Sequence, residues 1–127
     1  MIAIRVGHSR PNDSGAASVT GVTEWDYNSE LAEMIGKELK QPYKIYHTYK
    51  GGSYVTAMRW LARKLDEDRV DTAIELHFNA ATPKATGHEW LHWHTSEKGR
   101  LLARTLRDSF EVSFPLFRSR GIKPRKK

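Results

Sequence analysis

The chain has 127 residues, 39% hydrophobic and 28% charged, with a formal net charge of +6 and no cysteine. That length fits one domain with one core, and the missing thiols exclude disulfides, thiolate nucleophiles and Cys-ligated zinc, leaving histidine and carboxylates as metal ligands. No run of about 18 apolar residues offers a membrane-spanning helix, and MIAIRVG at the N-terminus lacks the basic and extended apolar regions of a signal peptide, so the expected product is made in the cytoplasm without membrane insertion.

Ile2 to Val6 is a short apolar run predicted as strand one. It leads into GHSRPNDSGAASVTGVTE, residues 7–24, a polar, glycine-punctuated loop with His8 near one end and Glu24 at the other. A strand's C-terminal end followed by a helix's first turn is where α/β sheets place their chemistry. Thr23 and Asp26 read as a capping box. From Glu24, the positions Asn28, Leu31 and Ile35 recur at helical spacing, which turns Glu24 towards the sheet; the helix runs to about Lys40, ahead of Pro42. Taken alone, Glu24 reads equally as a metal ligand or as a complement to the positive helix end, worth roughly 0.3–1 kcal/mol.

Tyr43 to Thr48 has strand composition and precedes the turn pair Gly51 and Gly52. Ser53 can cap a second helix with Tyr54, Met58, Leu61 and Leu65 on one face. Asp66 to Asp71 is a charged connection, Thr72 to Phe78 a third strand, and residues 79–86 a loop with Pro83. His88 to His94 reads as a fourth strand, and Ser96 opens a third helix through about Phe110, with Leu102, Leu106 and Phe110 in register. This βαβαββα order predicts one α/β domain over residues 1–117, with a mixed, largely parallel sheet flanked by helices. Six of the last ten residues are Lys or Arg. Residues 118–127 read as a frayed basic tail suited to an anionic partner: nucleic acid, a membrane surface or an acidic wall polymer.

His77 lies near the end of strand three as His8 does for strand one, so both imidazoles can converge where helix one begins. Two histidines and a glutamate leave one tetrahedral position open. That is the pattern of a catalytic zinc, which needs a free site for water or a substrate carbonyl.

These residues carry a family resemblance. Gly7 and His8, Gly15 and Ala16, Thr23 and Glu24, the ELHFNA segment with Glu75, His77, Asn79 and Ala80, and the strand with Gly87 and Glu89 together resemble the zinc-dependent N-acetylmuramoyl-L-alanine amidases of the third amidase family, found in cell-wall hydrolases and phage endolysins. The resemblance spans nearly the whole chain. It implies a zinc ion (Zn2+) held by His8, Glu24 and His77, peptidoglycan as substrate, and hydrolysis of the amide between N-acetylmuramic acid and L-alanine, with the protein acting on the wall after release from the cytoplasm. In the family a later strand carries a glutamate that serves as general base, and this chain stops at Lys127 before such a strand. The alternative reading is therefore a catalytically incomplete wall-binding module, or a piece of a longer amidase. The family commonly has serine where Glu75 stands. By strand alternation Glu75 shares a face with His77, which makes Glu75 the candidate catalytic residue, or an acceptor for a ligand imidazole, against a plain salt bridge beside the sheet. Glu89 is a weaker candidate of the same kind.

Arg10, Asn12 and Asp13 lie between two of the ligands. Arg10 and Asn79 are the candidate substrate-binding residues, although Asx-turn chemistry explains Asn12 and Asp13 equally well. In the fourth strand Leu91 and Trp93 look like the buried side. His88, Trp90, His92 and His94 then form a row facing solvent or a substrate groove, with packing under a helix an equal reading for Trp90. His47 reads as an edge-strand residue. Nucleic-acid binding rests on charge alone, with no recognition module, and is not expected; the sequence carries no signal of oligomeric state.

Overall fold

The apolar run at the N-terminus forms β1 (Ile2–Val6), whose last four residues are buried. The computed structural model describes residues 1–8, 15–47, 53–79 and 84–126. After β1 come α1 (Glu24–Glu38), β2 (Tyr43–Tyr46), α2 (Tyr54–Glu67), β3 (Thr72–Leu76), β4 (His88–Trp93), α3 (Glu97–Ser113) and β5 (Ser119–Arg125). The α/β class and the parallel pairing are as the sequence predicts. Two compact units make up the chain, Met1–Ala80 and Ala81–Lys127.

In the first unit the strand order is β2-β1-β3, all parallel, with β1 central. A strand buried on both faces needs apolar residues on both, and IAIRV nearly supplies them. Ile4 and Val6 pack with Ala32 of α1, joined by Trp25, Ile35, Ile45 and Ile74. Ala3 packs with Tyr46 and with Leu61 of α2, joined by Met58, Leu65 and Val70. The two helices therefore cover opposite faces of the sheet. Parallel register sets Arg5 beside Glu75 and Val6 beside Leu76, so the chain leaves β1 and β3 at one edge. His8 and His77 stand at that edge.

Thr23 caps α1 as expected: its hydroxyl accepts from the Asp26 N–H at 3.2 Å and donates to the Asp26 carboxylate at 2.7 Å. Ser53 caps α2 in the same way, accepting from Thr56 N–H. Three details differ from the sequence reading, the first being that β3 ends at Leu76 rather than Phe78, so His77 follows the strand. Tyr54 is exposed rather than on the buried face of α2, and the helix runs on through Glu67, absorbing the start of the charged connection.

In the second unit β4 pairs parallel with β5, and α3 packs on the pair through Phe110, whose ring lies 4.5 Å from His88 and 5.8 Å from Trp90 between centroids. Trp90 Nε1 donates to His88 Nδ1 at 2.8 Å. This reverses the predicted faces of β4. His88 and Trp90 lie under the helix, whereas Leu91 and Trp93 are 47% and 52% exposed, because α3 supplies an aromatic partner to the even-numbered side. The predicted basic tail is also corrected, since residues 119–125 form β5, held to β4 by a ladder. Within that ladder His88 faces Ser119 and Trp90 faces Ile122, so Arg120 and Gly121 together oppose Glu89. Gly121 takes φ +88, a left-handed conformation that suits a bulge.

Candidate metal centre

The site is built on Glu24. Helix geometry turns this first-turn carboxylate into the protein, where it is 1% exposed. A buried carboxylate needs donors, and two backbone amides provide them: Phe78 N–H to Oε1 at 2.7 Å and Ala16 N–H to Oε2 at 3.0 Å. The Glu24 N–H in turn donates to the Ala16 carbonyl at 2.7 Å, fastening the end of the loop to the start of the helix.

Glu24 Oε1 also lies 3.2 Å from His8 Nε2 and 3.0 Å from His77 Nδ1. The two imidazole rings stand nearly perpendicular, 5.2 Å between centroids. One ligand atom from each of His8, Glu24 and His77 falls within 4.8 Å of the other two. A tetrahedral zinc with N and O ligands at about 2.1 Å has edges of about 3.4 Å, so these separations and this donor set fit the ion. The sequence expected these three residues to meet, and the structure brings them together.

His8 takes φ +64, a left-handed conformation uncommon outside glycine. Its neighbours hold it there: the Gly7 N–H donates to Leu76 O at 3.0 Å, and the buried Arg5 guanidinium reaches the His8 carbonyl at 3.4 Å and the His47 carbonyl at 2.7 Å. Two glycines make room for the ligands. A Cβ on Gly7 would collide with the His77 ring and lie 2.7 Å from Leu76 O, and one on Gly15 (φ +75) would lie 2.6 Å from Glu24 Oε2 and 2.7 Å from His8 Cδ2. Sequence reasoning noted both glycines without seeing that they clear the site.

On the open side, Glu75 Oε1 stands 2.9 Å from His77 Nε2. Burial pushes the Glu75 carboxyl up, but the hydrogen bond and charge of His77, with Arg5 and His8, prevail and hold it below its ordinary value. His77 is raised, chiefly by the Glu75 hydrogen bond against the opposing effect of burial. The reading of Glu75 as a plain salt bridge beside the sheet is thus incomplete: Arg5 sits beside it in register, but its hydrogen bond goes to the His77 imidazole. Glu89, the weaker candidate, pairs instead with Lys123 in the second unit. Of the expected substrate contacts, Asn79 is exposed two residues after His77, whereas Arg10, with Asn12 and Asp13, lies outside the described residues.

Fold and cluster together define an α/β protein with a two-histidine, one-glutamate centre at its strand ends. The chain belongs to the N-acetylmuramoyl-L-alanine amidase family, whose pattern matches residues 2–126. Among solved structures it is similar to an N-acetylmuramoyl-L-alanine amidase from Clostridium difficile 630, at 28% identity and TM-score 0.76, covering 98% of this chain and 68% of that one. It is also similar to the catalytic domain of an endolysin targeting Clostridia difficile, at 28% identity and TM-score 0.77, covering 99% and 71%. An N-acetylmuramoyl-L-alanine amidase of Nostoc punctiforme shares the fold at 15% identity and TM-score 0.72, covering 100% and 70%. A search of the curated proteins returned no match. Among the described residues no helix is long and apolar enough to cross a membrane.

Proposed function

We propose that this chain hydrolyses the amide bond between N-acetylmuramic acid and L-alanine in peptidoglycan, with zinc held by His8, Glu24 and His77, acting on the wall after release from the cell. The observation that supports this best is the convergence of three ligand atoms on one point at the exposed edge of a parallel sheet, in a member of the amidase family. Bound there, zinc supplies a Lewis acid for the scissile carbonyl and brings the pKa of a bound water to about 7.

The protein's own residues do the positioning. Phe78 N–H and Ala16 N–H fix the Glu24 carboxylate so that Oε1 faces both imidazoles. An Nε2–H on His77 donating to Glu75 leaves the Nδ1 lone pair directed into the site, the carboxylate–histidine arrangement that orients ligands and raises their basicity. Glu75, expected from sequence as the catalytic residue, is assigned here a positioning role through His77. The support for that role is geometric: Glu75 Oε1 lies 2.9 Å from the His77 nitrogen that faces away from Glu24. Asn79 and Arg10 are proposed to contact the muramyl or stem-peptide part of the substrate.

Elemental analysis of the purified chain, paired with release of L-alanine-terminated stems from peptidoglycan before and after chelation and zinc return, tests the reading. One zinc per chain with restored hydrolysis supports it. Zinc without hydrolysis reduces it to the metal-site part, and a chain that takes up no zinc removes it.

A further inference from the structure

The second unit carries a separate site whose chemistry the metal centre does not use. Eleven of the chain's 21 Lys and Arg residues, against four of its 15 acids, fall within residues 81–127, so the excess positive charge resides there. It is concentrated further by the β4–β5 ladder. Strand alternation puts Arg118 and Arg120 on the side opposite Ser119. The bulge at Arg120 and Gly121 adds one residue, which moves Lys123 onto the same side as those two arginines and Ile122 onto the side of Trp90 under α3. With Lys84, Ala85 and Thr86, these residues line a cleft of about 430 Å³. Gly87, at φ +113, closes one wall: a Cβ there would strike the Arg118 carbonyl and come within 3.2 Å of Arg120 Cγ, so the loop can approach the arginines only because the residue is glycine.

Four cations around one cleft repel one another. Glu89 offsets one of them through its ion pair with Lys123, leaving Lys84, Arg118 and Arg120 without that compensation. We infer that this cleft binds a phosphate-bearing anion. Two guanidinium forks and an ammonium match the several oxygens and the higher charge of a phosphate better than the single charge of one carboxylate. The inference is independent of zinc and of hydrolysis, and every residue it uses belongs to the second unit.

Equilibrium binding of the full chain to inorganic phosphate, to a glycerol-phosphate oligomer and to poly-L-glutamate of matched charge tests it. The oligomer should bind more tightly than polyglutamate. Combining Arg118→Ala with Arg120→Ala should weaken phosphate-ligand binding at least about tenfold, because two charge-assisted contacts are lost together. Lys98→Ala with Arg104→Ala, exposed on α3 and removing the same net charge, should change it less than about twofold by general screening-range effects alone. Glu89→Gln, which releases Lys123, should tighten it. Complete displacement of the oligomer by inorganic phosphate assigns the cleft to a single phosphate group, and partial displacement to a polymeric one; both support the inference. Equal weakening by the two double variants, or polyglutamate binding as tightly as the oligomer, would overturn it. Circular dichroism and thermal melting of each variant establish that the fold is retained.

Discussion

Glu24 and His77, 53 residues apart in sequence, meet at 3.0 Å between Oε1 and Nδ1, and the amide of the next residue, Phe78, donates to that same oxygen at 2.7 Å. One carboxylate oxygen therefore ties the start of α1 to the end of β3. Replacing Glu24→Gln keeps the volume but removes the charge. Zinc affinity should fall by more than the roughly 10–100-fold typical of residues one step removed from a metal, while the metal-free protein stays folded. Competition with a chromophoric chelator measures the first, and circular dichroism the second.

Gly7→Ala places a methyl against the His77 ring and Gly15→Ala places one against Glu24 and His8 in a left-handed backbone. Overpacking costs about 1–3 kcal/mol and the left-handed alanine about 1–2 kcal/mol more at Gly15. Both variants should melt lower than the parent, Gly15→Ala the more so. Both should also lose zinc affinity. A pair of variants that melt normally and bind zinc normally would contradict the close approach described for these glycines.

Glu75→Ala should weaken zinc binding about 10–100-fold by freeing the His77 ring, and Glu75→Gln, which retains an acceptor oxygen, should fall between it and the parent. The readout that separates this from a catalytic base is the metal affinity itself. If Glu75→Gln binds zinc like the parent but hydrolyses nothing, Glu75 works on the proton rather than on the ring.

Tyr46, buried beside α2, donates to Asp68 at 2.7 Å, and Lys44 approaches the same oxygen at 2.8 Å. Burial first, then the hydrogen bond and charge of Asp68, push the Tyr46 hydroxyl up to about 12. A pKa raised in the folded state contributes stability that is complete below the ordinary value near 10 and is lost as pH climbs from about 10 to about 12. Asp68 is held below its ordinary value of 3.8, chiefly by hydrogen bonds from Lys44 and Tyr46, so its contribution is present above that pH and fades in stronger acid. An ultraviolet titration should show one of the five tyrosines ionising about two pH units after an ordinary phenol. In Asp68→Asn that delay should shrink.

What was legible in the sequence is what local chemistry encodes. Thr23 and Ser53 announced their helices because a hydroxyl at a helix start has one job, and the apolar runs at Ile2 and Thr72 announced strands, the first buried and the second half-exposed at the sheet edge. His8, Glu24 and His77 were legible because each stands at the end of such an element, and parallel strands bring those ends to one edge. β4 was misread since HEWLHW alternates two kinds of large side chain. Which kind turns inward depends on Phe110, a partner some twenty residues away whose position no alternation reveals. β5 was missed for a related reason: SRGIKPR contains a glycine bulge and a proline, so its period of two is broken and its charge dominates. The left-handed His8 and the clearances at Gly7 and Gly15 are tertiary facts with no local signature beyond the glycines themselves.

The central place of β1 has a consequence for biosynthesis. Its partners follow far downstream, Tyr43 opposite Ile2 on one side and Thr72 opposite Ile2 on the other. At about 5–20 residues per second of translation, β1 waits roughly 4–14 s before its second neighbour is even synthesised. During that interval an apolar strand has an open hydrogen-bonding edge, a template for pairing with another nascent chain. Yield of folded protein should therefore depend on how quickly the ribosome reaches Leu76, and slow codons between β2 and β3 would lower it without changing a single residue.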